Sequence, residues 1–254
     1  RVQGAPVVEV RLVDEGERFR FDVDAALRAL ALSVAKAPVK IAYVCSPSNP
    51  TGAAVPLADV ERLLVGVAGR AVVVVDEAYG EYSAQPSALT LRSKYANLVV
   101  LRTLSKAYAL AGARLGITIG DPSLIRVLNA IAPPYPLASP AVALALDAVS
   151  PSAADEAKRR AGRIVAERER VERALRGRDG VRAVYASDAN YLLVRFVDAE
   201  AAFRALLAAG VVVRDQRAAP RLHDALRITI GTAEENDAML AALDSLPAAA
   251  GAAA

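Results

Sequence analysis

In the first half of this 254-residue chain, short runs dominated by Val and Ile alternate with segments of helical apolar spacing. Val7–Val13 reads as a strand, Val23–Ala35 as a helix, Val39–Cys45 as a strand and Leu57–Val67 as a helix. The strands Ala71–Asp76, Asn97–Arg102 and Arg114–Gly120 follow. These runs are rich in β-branched residues and lack a clean polar alternation, the pattern of strands whose two faces are both covered by helices. The predicted fold class is therefore α/β, a mostly parallel sheet sandwiched by helices.

A different pattern takes over after Ala138. Helical spacing runs to Leu175, is broken at Pro151, and resumes as a long charged helix over Asp155–Arg176. Val181–Ala186, Tyr191–Phe196, Val211–Val213 and Leu226–Ile230 then read as strands, with helices at Ala199–Ala209 and Glu234–Leu246. The expected organisation is a large domain over residues 1–150, a bridging helix and small α+β domain over 151–246, and a disordered Ala-rich tail over 247–254.

Composition removes several function classes. Lys and Arg number 31 against 28 Asp and Glu, and the two signs are interleaved, as in Glu167-Arg168-Glu169-Arg170, so no nucleic-acid partner is expected. Despite a mean hydropathy of +0.29, the apolar runs are short, and Pro133, Pro134, Pro136 and Pro140 interrupt the Ile131–Leu146 stretch. No membrane-spanning helix is expected. A single cysteine, Cys45, suits a reducing compartment, and together with a single histidine, His223, it cannot build a zinc site within one chain. No metal is predicted. The hydrolase elbow, the P-loop and the dinucleotide fingerprint are all missing.

Four polar clusters fall after or at the ends of successive strands: Ser48-Asn49-Pro50-Thr51-Gly52, Asp76-Glu77-Ala78-Tyr79, Thr103-Leu104-Ser105-Lys106, and Arg114. Ligands of open parallel sheets bind outside the carboxyl ends of the strands, so the four point to one shared crevice.

Taken together, the stretches SPSNPTG (Ser46–Gly52), VVVVDEAYGEY (Val72–Tyr82), LRTLSKAYALAGARLG (Leu101–Gly116) and ALRITIGT (Ala225–Thr232) resemble the fold-type I pyridoxal-phosphate (PLP) enzymes, specifically the aminotransferases of the histidinol-phosphate branch. The resemblance implies the fold-type I architecture and transamination between L-histidinol phosphate and 2-oxoglutarate or glutamate, in histidine biosynthesis in the cytoplasm. It also implies site roles. Lys106 matches the lysine that bonds the cofactor and shuttles the proton, Asp76 the carboxylate facing the pyridine nitrogen, and Tyr79 and Asn49 the groups bonded to the ring oxygen. Thr103, Ser105 and Arg114 match the anchors of the cofactor phosphate. Arg227 matches the arginine that clamps the substrate carboxylate, and Arg214 a second substrate-side arginine; Asn49 also faces the substrate.

Aromatic amino-acid aminotransferases and threonine-phosphate decarboxylases share most of these motifs, and released carbon dioxide against transferred nitrogen separates them. A PLP-binding sensor or scaffold domain is a non-catalytic reading; the intact lysine, aspartate and substrate arginine favour catalysis. The implied partners are small-molecule amines and 2-oxo acids and, in the complete protein, a second copy in a homodimer. The family's N-terminal arm, its early phosphate-cradling helix and its ring-stacking aromatic residue would precede Arg1. The 254 residues alone are thus expected to bind PLP weakly and turn over little.

Overall fold

The computed structural model describes residues 4–33 and 38–246, and two four-stranded sheets organise them. A short hairpin of β1 (Val13–Asp14) and β2 (Phe19–Arg20) leads into α1 (Val23–Ser33), β3 (Ile41–Cys45), α2 (Leu57–Gly66), β4 (Val72–Asp76), β5 (Leu98–Thr103) and β6 (Gly116–Gly120). The first sheet has the order β3-β4-β5-β6, with β3, β4 and β5 parallel and β6 antiparallel to β5. The direction of β6 follows from what connects it to β5. A parallel return needs a crossover of about a dozen residues or more, usually a helix. The segment between Thr103 and Gly116 is instead a loop with a single 3₁₀ turn at Ala111–Ala113.

The chain continues through α3 (Pro122–Ile131), α4 (Ser139–Ala148) and α5 (Pro151–Leu175) into β7 (Val181–Tyr185), β8 (Tyr191–Phe196), α6 (Ala199–Ala208), β9 (Arg214–Asp215), β10 (Ala225–Thr229) and α7 (Ala233–Ala242). The second sheet, β7-β8-β10-β9, is antiparallel throughout.

Each sheet has its own core. Val73, Val75, Leu98 and Val100 pack with Val60, Leu63 and Leu64 of α2 and Val23 and Ala26 of α1. Leu192, Val194, Leu226 and Ile228 pack with Val171 and Leu175 of α5, Leu206 of α6 and Met239 of α7. Burying one such side chain fully contributes about 1.5–3 kcal/mol, so each sheet is held to its helices by several of the largest single terms in the fold. The helix ends are set locally. Asp198 caps α6 by accepting from the Ala201 amide at 2.9 Å, and Thr232 and Glu235 form a reciprocal capping box on α7.

Several expected boundaries move. Val7–Val13 is not a strand: only Val13, with Asp14 after it, joins a ladder, and Val7 and Val8 are exposed. β-branched content favours extended backbone, but a strand also needs a neighbour to pair with. Val211–Val213 likewise stays outside the sheet, and the pairing begins at Arg214. The bridging helix starts at Pro151 rather than Asp155, because proline's fixed φ suits a first helical turn. α3 was not predicted at all. The expected helix end at Ala35 and the tail over 247–254 lie outside the described residues.

A third cluster joins the two sheets. Tyr79, Tyr82 and Ala107 from the first half meet Ala161 of α5 and Ala189 and Tyr191 from the second. Buried Arg168 of α5 ties the same seam, donating to the Ala189 carbonyl at 2.7 Å and the Tyr82 carbonyl at 3.5 Å. Burial lowers the pKa of its guanidinium, so the group carries a desolvation cost that the carbonyls offset. Arg168→Ala leaves the Ala189 carbonyl without this donor and opens a cavity. It should lower unfolding stability by about 2–4 kcal/mol, read as a reduced urea midpoint at unchanged slope.

Candidate active site

The first sheet delivers three of the four polar clusters to one edge because β3, β4 and β5 run the same way. The fourth joins them because β6 runs the other way: Arg114 precedes β6, and Thr103 faces Gly116 across the β5–β6 ladder. The Thr103 hydroxyl donates to the Leu115 carbonyl at 3.2 Å and accepts from the Ser105 amide at 3.1 Å, so one side chain fixes both the Ser105-Lys106 turn and the residue after Arg114. Arg114 adopts a left-handed backbone with φ of 53°, and its guanidinium donates only to the Ala111 carbonyl at 3.1 Å. It is exposed, and no carboxylate pairs with it among the described residues.

Asp76 ends β4 with both carboxylate oxygens engaged. One accepts from the Ala78 amide at 3.0 Å and the other from the Tyr43 hydroxyl. Desolvation of its hydroxyl and the neighbouring Asp76 carboxylate push the Tyr43 phenol up although the ring is largely exposed, so Tyr43 keeps its proton and donates to Asp76. On the neighbouring strand, burial pushes the Cys45 thiol up, which keeps it uncharged.

Tyr79 lies buried three residues beyond Asp76, and the Lys106 amine stands 5.3 Å from its ring centroid. Lys106 itself is exposed at the head of a loop pinned by buried Leu104 and Ala107. A rigid base with an accessible amine is what a residue that bonds a ligand covalently requires.

Asn49 sits on a loop stitched shut by the Ser48 amide to the Ala53 carbonyl at 2.9 Å and the Gly52 amide to the Ser48 carbonyl at 2.6 Å. Gly52 has φ of 82°, and a Cβ there would fall 2.3 Å from the Ser187 hydroxyl oxygen, so only glycine lets the loop dock on the second sheet. The Asp188 carboxylate completes the dock by accepting from the Ala54 amide at 2.8 Å and from Arg18.

Arg227 of β10 reaches across this seam and donates to the Asn49 side-chain oxygen at 2.7 Å. Its guanidinium lies 4.8 Å from the Tyr191 ring centroid, and its Nε is buried without a hydrogen-bond partner. Arg214 is its direct antiparallel partner in register, and neither arginine pairs with a carboxylate among the described residues. Like charges placed opposite one another on a ladder destabilise it, and an anion between them reverses that sign.

The structure thus brings Asn49, Tyr79, Lys106, Arg227 and Arg214 into one chain of contacts, with Asp76, Thr103, Ser105 and Arg114 along the same sheet edge. Chemically the arrangement offers one accessible amine, one fixed carboxylate, hydroxyl donors and three guanidinium groups that no carboxylate pairs with among the described residues. It suits a ligand that carries an aldehyde, a basic ring nitrogen and a phosphate, together with an anionic second reactant. Tyr191, Tyr43 and Arg168 serve this cleft and were not singled out from sequence. The signal for Tyr191 is a phenol directly before the aliphatic run Leu192-Leu193-Val194, where a buried hydroxyl must find an acceptor.

Comparison with known proteins places these residues in context. Residues 1–243 match the family described as aminotransferase class I and II. A histidinol-phosphate aminotransferase of Xylella fastidiosa is 53% identical over 98% of this chain and 67% of its own length, and one of Xanthomonas campestris pv. campestris is 55% identical over 96% and 66%. Among solved structures, histidinol-phosphate aminotransferase from Sinorhizobium meliloti in complex with pyridoxal-5'-phosphate superposes with a TM-score of 0.79 at 29% identity, covering 95% of this chain and 64% of that one. The chain spans about two thirds of the length of these relatives.

Proposed function

Because the chain belongs to the class I and II aminotransferase family, we propose that it carries the cofactor-binding and substrate-binding machinery of a histidinol-phosphate aminotransferase. Its α/β architecture is the fold-type I arrangement of PLP-dependent transferases. The observation that carries the substrate reading is the Arg214–Arg227 pair, two guanidinium groups without carboxylates on adjacent positions of the second sheet.

The residues of the cleft fit PLP. Lys106 offers the amine that bonds its aldehyde. Asp76, held by the Ala78 amide and the Tyr43 hydroxyl, is an anion suited to keep a proton on the pyridine nitrogen. Tyr79 and Asn49 are hydrogen-bonding groups for the ring oxygen, and Thr103, Ser105 and Arg114 supply hydroxyls and a guanidinium for the phosphate. When bound, PLP supplies an electron sink for the carbon that gives up its proton.

The chain's own groups do the rest. The Lys106 amine moves the proton at the amine-bearing carbon, and its loop keeps that amine beside the Tyr79 ring. Arg227, backed by Tyr191 and Asn49, orients the substrate anion, with Arg214 as second donor. Glutamate presents a carboxylate and histidinol phosphate a phosphate ester, and paired guanidinium groups accept either.

The same reading divides the protein into a cofactor domain over residues 1–150 and a bridging helix with small domain over 151–246. It places the enzyme in the cytoplasm as a homodimer. No described helix is long and apolar enough to cross a membrane, and α3 and α4 expose Val127, Ile131, Leu144 and Leu146, a surface suited to a second copy.

A substrate panel tests the function. The protein should exchange nitrogen between glutamate and histidinol phosphate in a two-stage reaction and release no carbon dioxide. Equal turnover of phenylalanine would move the assignment to the aromatic aminotransferases. Carbon dioxide from a phosphorylated amino acid would move it to the decarboxylases.

A further inference from the structure

Tyr191 links the two halves of the cleft. It begins β8, is only 1% exposed, and makes three contacts with groups of the site. Its hydroxyl donates to the Ser48 carbonyl at 2.8 Å, across 143 positions of sequence. Its ring lies under the Arg227 guanidinium, 4.8 Å from centroid to Cζ. It meets the Tyr79 ring in a T-shaped contact at 5.1 Å and 87°, and the Lys106 amine stands 5.3 Å from the centroid of the same Tyr79 ring.

These contacts close a circuit. Ser48 precedes Asn49, Asn49 accepts from Arg227, Arg227 rests on Tyr191, and Tyr191 returns to Ser48. A core position of this size needs only a phenyl ring to fill it; the hydroxyl adds a directional bond to the loop that presents Asn49. Burial pushes the phenol up, so it stays protonated and donating across the working pH range.

We propose that Tyr191 is a positioning residue of this site: its ring carries Arg227 and steadies Tyr79, and its hydroxyl fixes the loop that presents Asn49. The substrate-side arginine and the cofactor-side groups are thereby set at one mutual spacing by a single side chain. This proposal rests on the reading of the cleft as a PLP and substrate-anion site.

Two variants separate the two functions of the side chain. Tyr191→Phe keeps the platform and removes only the clamp on Ser48. PLP binding to the cofactor-free protein should weaken about fivefold, while succinate, used as a dicarboxylate probe on the PLP-loaded protein, should bind within about twofold of wild type. Tyr191→Met fills the space with a flexible apolar chain but lacks an aromatic face, so succinate should also weaken, by about tenfold. Melting temperatures of the cofactor-free proteins are measured alongside.

A merely structural role predicts lower melting temperatures with both dissociation constants unchanged, and that result overturns the proposal. Should Tyr191→Met not fold, Tyr191→Phe decides alone: PLP weakened with succinate unchanged supports the role, and any other pattern refutes it. Wild type is the control for the underlying reading. If wild-type protein itself binds neither PLP nor succinate, the function assigned to the cleft fails, which is distinguishable from failure of the role given to Tyr191.

Discussion

Lys106→Ala should abolish covalent capture of PLP and lower transamination by roughly four orders of magnitude. Under the proposed function the residue has two duties that no neighbour can assume. It is the only amine in the contact chain of the cleft; the remaining lysines, Lys36, Lys40, Lys94 and Lys158, lie outside the four polar clusters. Its placement comes from its loop rather than from an ion pair: buried Leu104 and Ala107 flank it, the Ala109 amide donates to its carbonyl at 2.9 Å, and the Thr103 hydroxyl fixes the preceding turn. Alanine keeps those backbone contacts, so the variant should fold with a near-normal melting temperature. Borohydride treatment of the PLP-loaded wild type, followed by digestion and mass analysis, should place the cofactor mass on the Lys106 peptide. A borohydride-trapped adduct at another lysine in the variant would remove Lys106 from the centre of the mechanism.

The site was legible in sequence where its chemistry is local. Each cluster combines a strand end with a turn, and strand ends are set by runs such as Val72-Val73-Val74-Val75 that need no tertiary information to be recognised. The Thr103-Leu104-Ser105-Lys106 turn likewise closes on itself through a side-chain oxygen two residues from its donor. What escaped depends on partners distant in the chain. Arg168 reads as one charge among many on an interleaved helix, and only the fold shows that it faces two carbonyls in the seam. Tyr191 reads as a strand residue until Ser48 and Arg227 are brought to it.

The fold follows the same division. The core strands were recognisable from composition, whereas Val7–Val13 has the right residues and only Val13 joins a ladder. The direction of β6 goes with a β5–β6 connection that holds no crossover helix, only one 3₁₀ turn. α3 carried a sufficient start signal in Asp121-Pro122, with Asp121 accepting from the Ser123 amide at 2.8 Å, but the prolines from Pro133 onward dominated that stretch.

Arg227→Ala should cut kcat/KM for glutamate by two to three orders of magnitude while leaving the fold intact. Two charge-assisted hydrogen bonds to a carboxylate are worth about 1.5–3 kcal/mol each, and a loss of about 4 kcal/mol corresponds to roughly a thousandfold. The buried Nε without a partner and the Tyr191 platform support a guanidinium held ready for an anion in addition to its bond to Asn49. Stability should move little, or upward, because removing Arg227 relieves the like-charge pairing with Arg214 across β9 and β10. Arg227→Lys should recover only a small part of the activity: an ammonium keeps the charge but cannot bond Asn49 and grip a carboxylate with a planar fork at once. Arg214→Ala should have the smaller effect, since Arg214 is exposed and its charge is screened by solvent. The measurement is steady-state kinetics with glutamate and with histidinol phosphate, paired with thermal melts. An Arg227→Ala protein within about fivefold of wild type for glutamate would show that the substrate anion is held elsewhere; a lowered melting temperature together with lost activity would mean that Arg227 supports the seam between the sheets instead of the substrate.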